Sequence, residues 1–160
     1  PFSYYEADQW CAAAALLASR DPAWVRPYLV AVVRNRGPRA AEYPTKHFCA
    51  AEALVAAGEL DIPLEFHMAN INGEPAGLRQ VSLFRVGALG ARASAAVPAL
   101  VSELSKGDLF STVTAIDTLA QIGPGATAAV PALKARLNDG AAVVREAAAR
   151  ALRKIGAEGT

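Results

Sequence analysis

The segment Ala96-Val97-Pro98-Ala99-Leu100 returns as Ala129-Val130-Pro131-Ala132-Leu133, 33 residues later. The same shift carries Gly90 to Gly123 and Gly156, Leu104 to Leu137, Gly107 to Gly140, and Leu89 to Ile122 and Ile155. Five identities in a row, held in register through three units, mark an internal repeat. Repeats of this length fold by stacking, because a single unit cannot bury its apolar face alone.

A more diverged copy stands upstream, where Cys11-Ala12-Ala13-Ala14-Ala15-Leu16-Leu17-Ala18 matches Cys49-Ala50-Ala51-Glu52-Ala53-Leu54-Val55-Ala56 at a shift of 38. Both resemble Arg145 to Leu152. The register predicts first helices near 6–19, 44–57, 78–89, 110–122 and 142–155, and second helices near 22–34, 60–70, 95–105 and 128–138. In the fourth unit Val113, Ile116, Leu119, Ala120 and Ile122 form an apolar stripe at helical spacing. Gly123-Pro124-Gly125 then reads as a tight turn that ends the helix. The partner helix opens with Pro131 in its first turn, where a missing N–H costs nothing, and faces the stripe with Val130, Leu133 and Leu137. The chain is 53% hydrophobic but only 7% aromatic, and Ala supplies much of the excess, which favours closely packed helices over strands.

Two stretches depart from the pattern. Asn35 to Pro44 is a longer loop that explains the 38-residue spacing of the first two units. Ile62 to Gly77 lacks the Ala-Val-Pro-Ala-Leu signature, and Asn72-Gly73, Pro75 and Gly77 spell a turn, so an irregular hairpin is expected there.

The segments Ile122-Gly123-Pro124, Ala129 to Leu133, Leu137-Asn138-Asp139-Gly140, Val144-Arg145 and Ala147 to Gly156 resemble HEAT repeats, specifically the short Ala-rich variety called PBS-lyase HEAT-like repeats. The likeness is specific over residues 78–160, weaker over 1–58 and weakest over 59–77. It implies an all-α fold, an α-α superhelix or solenoid of about four and a half helical hairpins. A single domain over 1–160 is expected, with units near 5–36, 43–72, 78–107, 110–140 and a partial 142–160. The resemblance also implies a ladder between neighbouring repeats built on a loop Asp and an Arg six residues on, here Asp139 and Arg145. The preceding unit has Lys106 and Thr112 in those places, and the one before it has Gly73 and Arg79, so a patchy ladder is expected. Asp117 and Arg150, one repeat apart, are expected to form a surface ion pair between units.

Catalysis needs convergent polar groups, and the chain has only two histidines, His47 and His67, neither with Cys or carboxylate partners at metal spacing. His47, at a helix start, is expected to face solvent. Glu65 and His67 are two apart and point away from one another on a helix. No phosphate-loop motif occurs, nor the adjacent His-Glu pair of HEAT-like hydroxylases, nor the basic groove of HEAT-like glycosylases. No catalytic residue, metal or cofactor is expected. Cys11 and Cys49 sit in Ala-rich helical contexts and read as small buried side chains rather than a disulfide.

The unusual surface candidate is basic and aromatic. Trp24, Arg26, Tyr28, Arg34, Arg36 and Arg39 lie in a stretch from Arg20 to Ala41 whose only acid is Asp21. Trp, Tyr and Arg dominate interface hot spots, so Trp24, Tyr28, Arg34, Arg36 and Arg39 are the partner-binding candidates. The leading expectation is a non-catalytic scaffold that binds a protein through the concave row of second helices. One alternative, implied by the resemblance, is an accessory domain or subunit of an enzyme, a hydrolase tail or a bilin-lyase-like subunit. Another is phosphate or nucleic-acid binding through the Arg cluster, against which the net charge of +1 weighs. No apolar run reaches the roughly 20 residues of a membrane span. The helix at 142–155 has the pattern of a first helix without a second, so its face is expected to stack on further repeats, a partner or a second copy. The compartment stays open, with the cytoplasm as default.

Overall fold

A computed structural model of the chain describes residues 22–34, 44–73, 76–106 and 108–156. It is all-α: the described residues contain no strand. Eight α-helices are described, α1 (Pro22–Arg34), α2 (Pro44–Ala56), α3 (Asp61–Asn72), α4 (Ala76–Ala88), α5 (Val97–Lys106), α6 (Leu109–Ile122), α7 (Val130–Arg136) and α8 (Ala142–Ile155). First helices are α2, α4, α6 and α8; second helices are α1, α3, α5 and α7. Every boundary read from the repeat after residue 22 falls within two residues of these. The first helix expected near 6–19 lies outside the described residues.

The first helices end on a recurrent backbone feature. Gly58, Gly90, Gly123 and Gly156 all take positive φ, between 55° and 88°, a region a Cβ disfavours. After α2 the chain closes a two-bond cap, with Gly58 N donating to the Val55 carbonyl at 3.0 Å and Glu59 N to that of Leu54 at 2.9 Å. Beyond Gly90 and Gly123 the path is not the tight turn expected from sequence. It is a 3-10 segment, Gly90–Ala96 and again Gly123–Ala129. Within them Ala93 (φ −94°, ψ 19°) and Ala126 (φ −96°, ψ 19°) are backbone copies, both wholly buried. A larger side chain has no room there, which is why both connectors carry Ala at this position.

The chain divides into two compact units, Pro1–Phe66 and His67–Thr160, the division falling inside α3. In the first unit α1 packs on α2. Val25, Leu29, Val32 and Val33 of α1 meet Ala50, Ala51, Ala53 and Leu54 of α2, with Ile62 and Phe66 completing the core. The small α2 residues let the helices approach closely. Phe66 meets Phe48 edge-on, with ring centroids 5.1 Å apart, and stacks on His47 at 6.4 Å. His47 is therefore buried, contrary to the sequence expectation. Phe66, on another helix, supplies an apolar partner that helical periodicity does not reveal. The cysteine reading is also corrected: Cys49 is disulfide-bonded. The sequence holds one other cysteine, Cys11, which lies outside the described residues.

In the second unit α4 packs on α6 and α6 on α8, with α5 against α6 and α7 against α8. Leu83, Leu100, Ile116, Leu119, Ile122 and Leu133 are fully buried between them. Asp108 starts α6 by accepting from Ser111 N at 2.8 Å, and that bond holds its carboxyl below the usual range.

Bonds about one repeat apart tie neighbouring hairpins. Lys106 Nζ donates to Asn72 Oδ1 at 3.2 Å, and Arg136 Nη2 to the Leu104 carbonyl at 2.6 Å. Thr118 shares its hydroxyl proton between the carbonyls of Leu83 at 3.2 Å and Thr114 at 2.8 Å. Arg150 Nη2 donates to Asp117 Oδ1 at 3.3 Å.

Candidate functional site

The amphipathic pattern of α1 buries Val25, Leu29, Val32 and Val33 and turns Arg26, Tyr28 and Arg34 to solvent. Tyr28 is 52% exposed. Arg26 is committed to a carboxylate: its Nε donates to Glu59 Oε1. That hydrogen bond raises the guanidinium and lowers the Glu59 carboxyl relative to their ordinary values. Of the sequence-predicted cluster, then, Tyr28 and Arg34 share the solvent face of one helix. Trp24 belongs to α1, but its side chain, like Arg36 and Arg39, lies outside the described residues.

The loop before α8 shows what Asp139 and Arg145 do. Arg145 Nη1 donates to two main-chain carbonyls, Asp139 at 2.8 Å and Gly140 at 3.0 Å. The Asp139 carboxylate instead accepts from Ala141 N at 3.0 Å and from Arg136 Nη1 at 3.0 Å. The Ala141 bond, then the Arg136 bond, draws its pKa down. Two repeats upstream, Arg79 Nη2 donates to the Gly73 carbonyl at 3.2 Å, the same contact with no side chain on the acceptor residue. Glycine at that position therefore leaves the arginine's bond intact. Arg79 Nη1 also lies 3.6 Å from Oε1 of the wholly buried Glu103.

His67 is almost wholly buried, its Nδ1 3.2 Å from Ser82 Oγ. Burial, and secondarily the charge of Arg85, lower its pKa to about 4, so the ring is neutral at physiological pH. Both partners are sealed from solvent, which gives them a structural role. Among the described residues no group of three or more His, Cys, Asp or Glu is placed to hold a metal, and no helix is long and apolar enough to cross a membrane.

In the second unit first helix packs on first helix with a second helix beside each, and the model of HEAT repeats matches residues 71–158. The chain belongs to the HEAT-repeat family. HEAT repeats generally serve as protein-interaction scaffolds. Among curated proteins no match is found.

From sequence, the anchors of the HEAT units are expected on the second helices. In the second unit the exposed residues of α5 and α7 are Pro98, Ser102, Ser105, Lys106, Pro131 and Ala135, none of them a large apolar anchor. The large exposed apolar residues there stand mainly on first helices: Val81, Phe84, Leu109, Phe110 and Val143. One signal could have found them. Phe84, Asp117 and Arg150 occupy one repeat position, so an aromatic stands where the other two units carry charge. The exposed side of α8 is otherwise polar, with Arg145, Glu146, Arg150, Arg153 and Lys154.

Proposed function

We propose that this HEAT-repeat chain is a non-catalytic scaffold that holds a protein partner, with Tyr28 and Arg34 of α1 among its contacts. The observation that carries the reading is how the polar side chains of the second unit are used. Arg79, Arg136 and Arg145 are spent on main-chain carbonyls, Lys106 on Asn72, and His67 pairs with Ser82 out of reach of solvent. Among the exposed charges of the second unit stand large apolar residues, Val81, Phe84, Leu109, Phe110, Leu137 and Val143, and the first unit exposes Tyr28. Such surface suits recognition by shape and a few anchors.

Phosphate binding through the N-terminal arginines is the weaker reading, because Arg26 already has a carboxylate partner in Glu59. The test is affinity capture with the whole chain, wild type against Tyr28→Ala/Arg34→Ala. Loss of a specific protein from the captured set at unchanged melting temperature supports the assignment. An unchanged set removes these two residues from the interface, and capture of nucleic acid that salt releases favours the rival reading.

A further inference from the structure

Five of the seven large exposed apolar residues among those described lie on α4, α6 and α8. Two bonds set the lateral register of these helices: Thr118 to the Leu83 carbonyl and Arg150 to Asp117. Residues one repeat apart are therefore level, so Phe84 is level with Asp117, Val81 with Thr114, and Val143 with Phe110. On α6, Phe110, Thr114 and Asp117 form one line at i, i+4 and i+7. Val81 and Phe84 flank that line from α4, and Val143 flanks it from α8. The apolar residues thus make a diagonal strip, Phe84 and Val81 on α4, Phe110 on α6 and Val143 on α8, bordered by Thr114 and the Asp117–Arg150 pair. The core does not force these residues outward, since Leu83, Val86, Ala115, Ile116 and Leu119 fill the buried faces of α4 and α6.

The surroundings of the strip are basic. Arg85, Arg145, Arg150, Arg153 and Lys154 are exposed on these helices, against Asp117, Glu146 and the α6 cap Asp108, with Arg150 paired to Asp117, in a chain whose net charge is +1. We propose that this face docks an amphipathic helix of a partner protein, with apolar residues at i, i+3, i+4 and i+7 and acidic flanks. Helices packed at about 10 Å spacing make the strip about 20 Å wide, the length of about 14 helical residues. A second copy of the chain fits less well. A two-fold interface would set the same basic face against itself, and a stable dimer buries about 800 Å² per partner, more than a strip of this size offers. This surface is built on other helices than the one that carries Tyr28 and Arg34.

The test is fluorescence anisotropy with the whole chain and a labelled synthetic helix of about 14 residues, Leu at i, i+3, i+4 and i+7 and Glu elsewhere, beside its Lys-for-Glu counterpart. The Glu peptide should bind saturably and more weakly as salt rises, and the Lys peptide should not bind. Phe84→Ser/Phe110→Ser should weaken binding about tenfold or more. If that variant melts early, Arg85→Glu/Lys154→Glu, which keeps the apolar residues, should weaken the Glu peptide in the same way. No saturable binding, equal binding of both peptides, or binding untouched by either variant overturns the proposal. So does a dimer in light scattering that Phe84→Ser/Phe110→Ser dissociates.

Discussion

Arg145 reaches the main-chain oxygen of Asp139 at 2.8 Å while the Asp139 carboxylate holds Arg136 at 3.0 Å. The two side chains most readily paired by sequence spacing thus act on different partners. A double-mutant cycle of Asp139→Ala with Arg145→Met should give a coupling close to zero, whereas Asp139→Ala with Arg136→Met should couple measurably. Chemical denaturation of the four proteins in each cycle decides it. Strong Asp139–Arg145 coupling would mean that the carboxylate is the acceptor after all.

The buried pair Arg79–Glu103 should behave differently. Removing the guanidinium by Arg79→Met leaves a carboxyl with no access to water and should cost about 3 kcal/mol. Arg79→Met/Glu103→Leu should recover most of that loss. Equal destabilisation by the single and double variants would show that the ion pair is not what Glu103 depends on.

His67 makes the stability pH-dependent. Its folded pKa of about 4 lies below the ordinary 6.5, so between these values the unfolded chain takes up a proton that the folded chain refuses. The contribution is complete above pH 6.5 and is lost as pH falls toward 4, up to about 3 kcal/mol. His67→Gln should flatten unfolding free energy against pH over that window. An unaltered slope would assign the acid sensitivity to other groups.

Gly123 and Gly156 end equivalent helices but differ in ψ. Gly156 sits at φ 84°, ψ 25° in the left-handed region, where Ala costs about 1 kcal/mol. Gly123 sits at φ 68°, ψ −136°, which side chains avoid more strongly, and Ala there should cost about 2 to 3 kcal/mol. No steric clash confuses the comparison, since the nearest atom to a Cβ on Gly123 is 3.9 Å away. Thermal melts of the two variants should rank in that order.

The helices were legible because the information is repeated. Ala-Val-Pro-Ala-Leu and the helix-ending glycines appear more than once, so a shift of the sequence on itself locates every hairpin of the second unit. The 3-10 connectors were not legible, because Gly-Ala-Arg-Ala-Ser-Ala-Ala and Gly-Pro-Gly-Ala-Thr-Ala-Ala read equally as turns; only burial of Ala93 and Ala126 selects the tighter coil. His47 was misplaced because the ring that covers it, Phe66, belongs to another helix. Acceptors that are main-chain carbonyls, such as those of Gly73 and Leu104, leave no trace in side-chain identity. The apolar strip was missed for a related reason: Val81 and Phe84 look like core residues until the rotation of α4 is known.

Ala93 and Ala126 share one backbone conformation within connectors of equal length. A crossover in the gene between those two connectors would delete or duplicate a whole hairpin in frame. The joined chain would meet the same turn, the same helix end and the same neighbouring face. Array length is thereby open to drift while each junction stays unaltered, and an array lengthened this way would present additional copies of its first-helix face without a new sequence being selected.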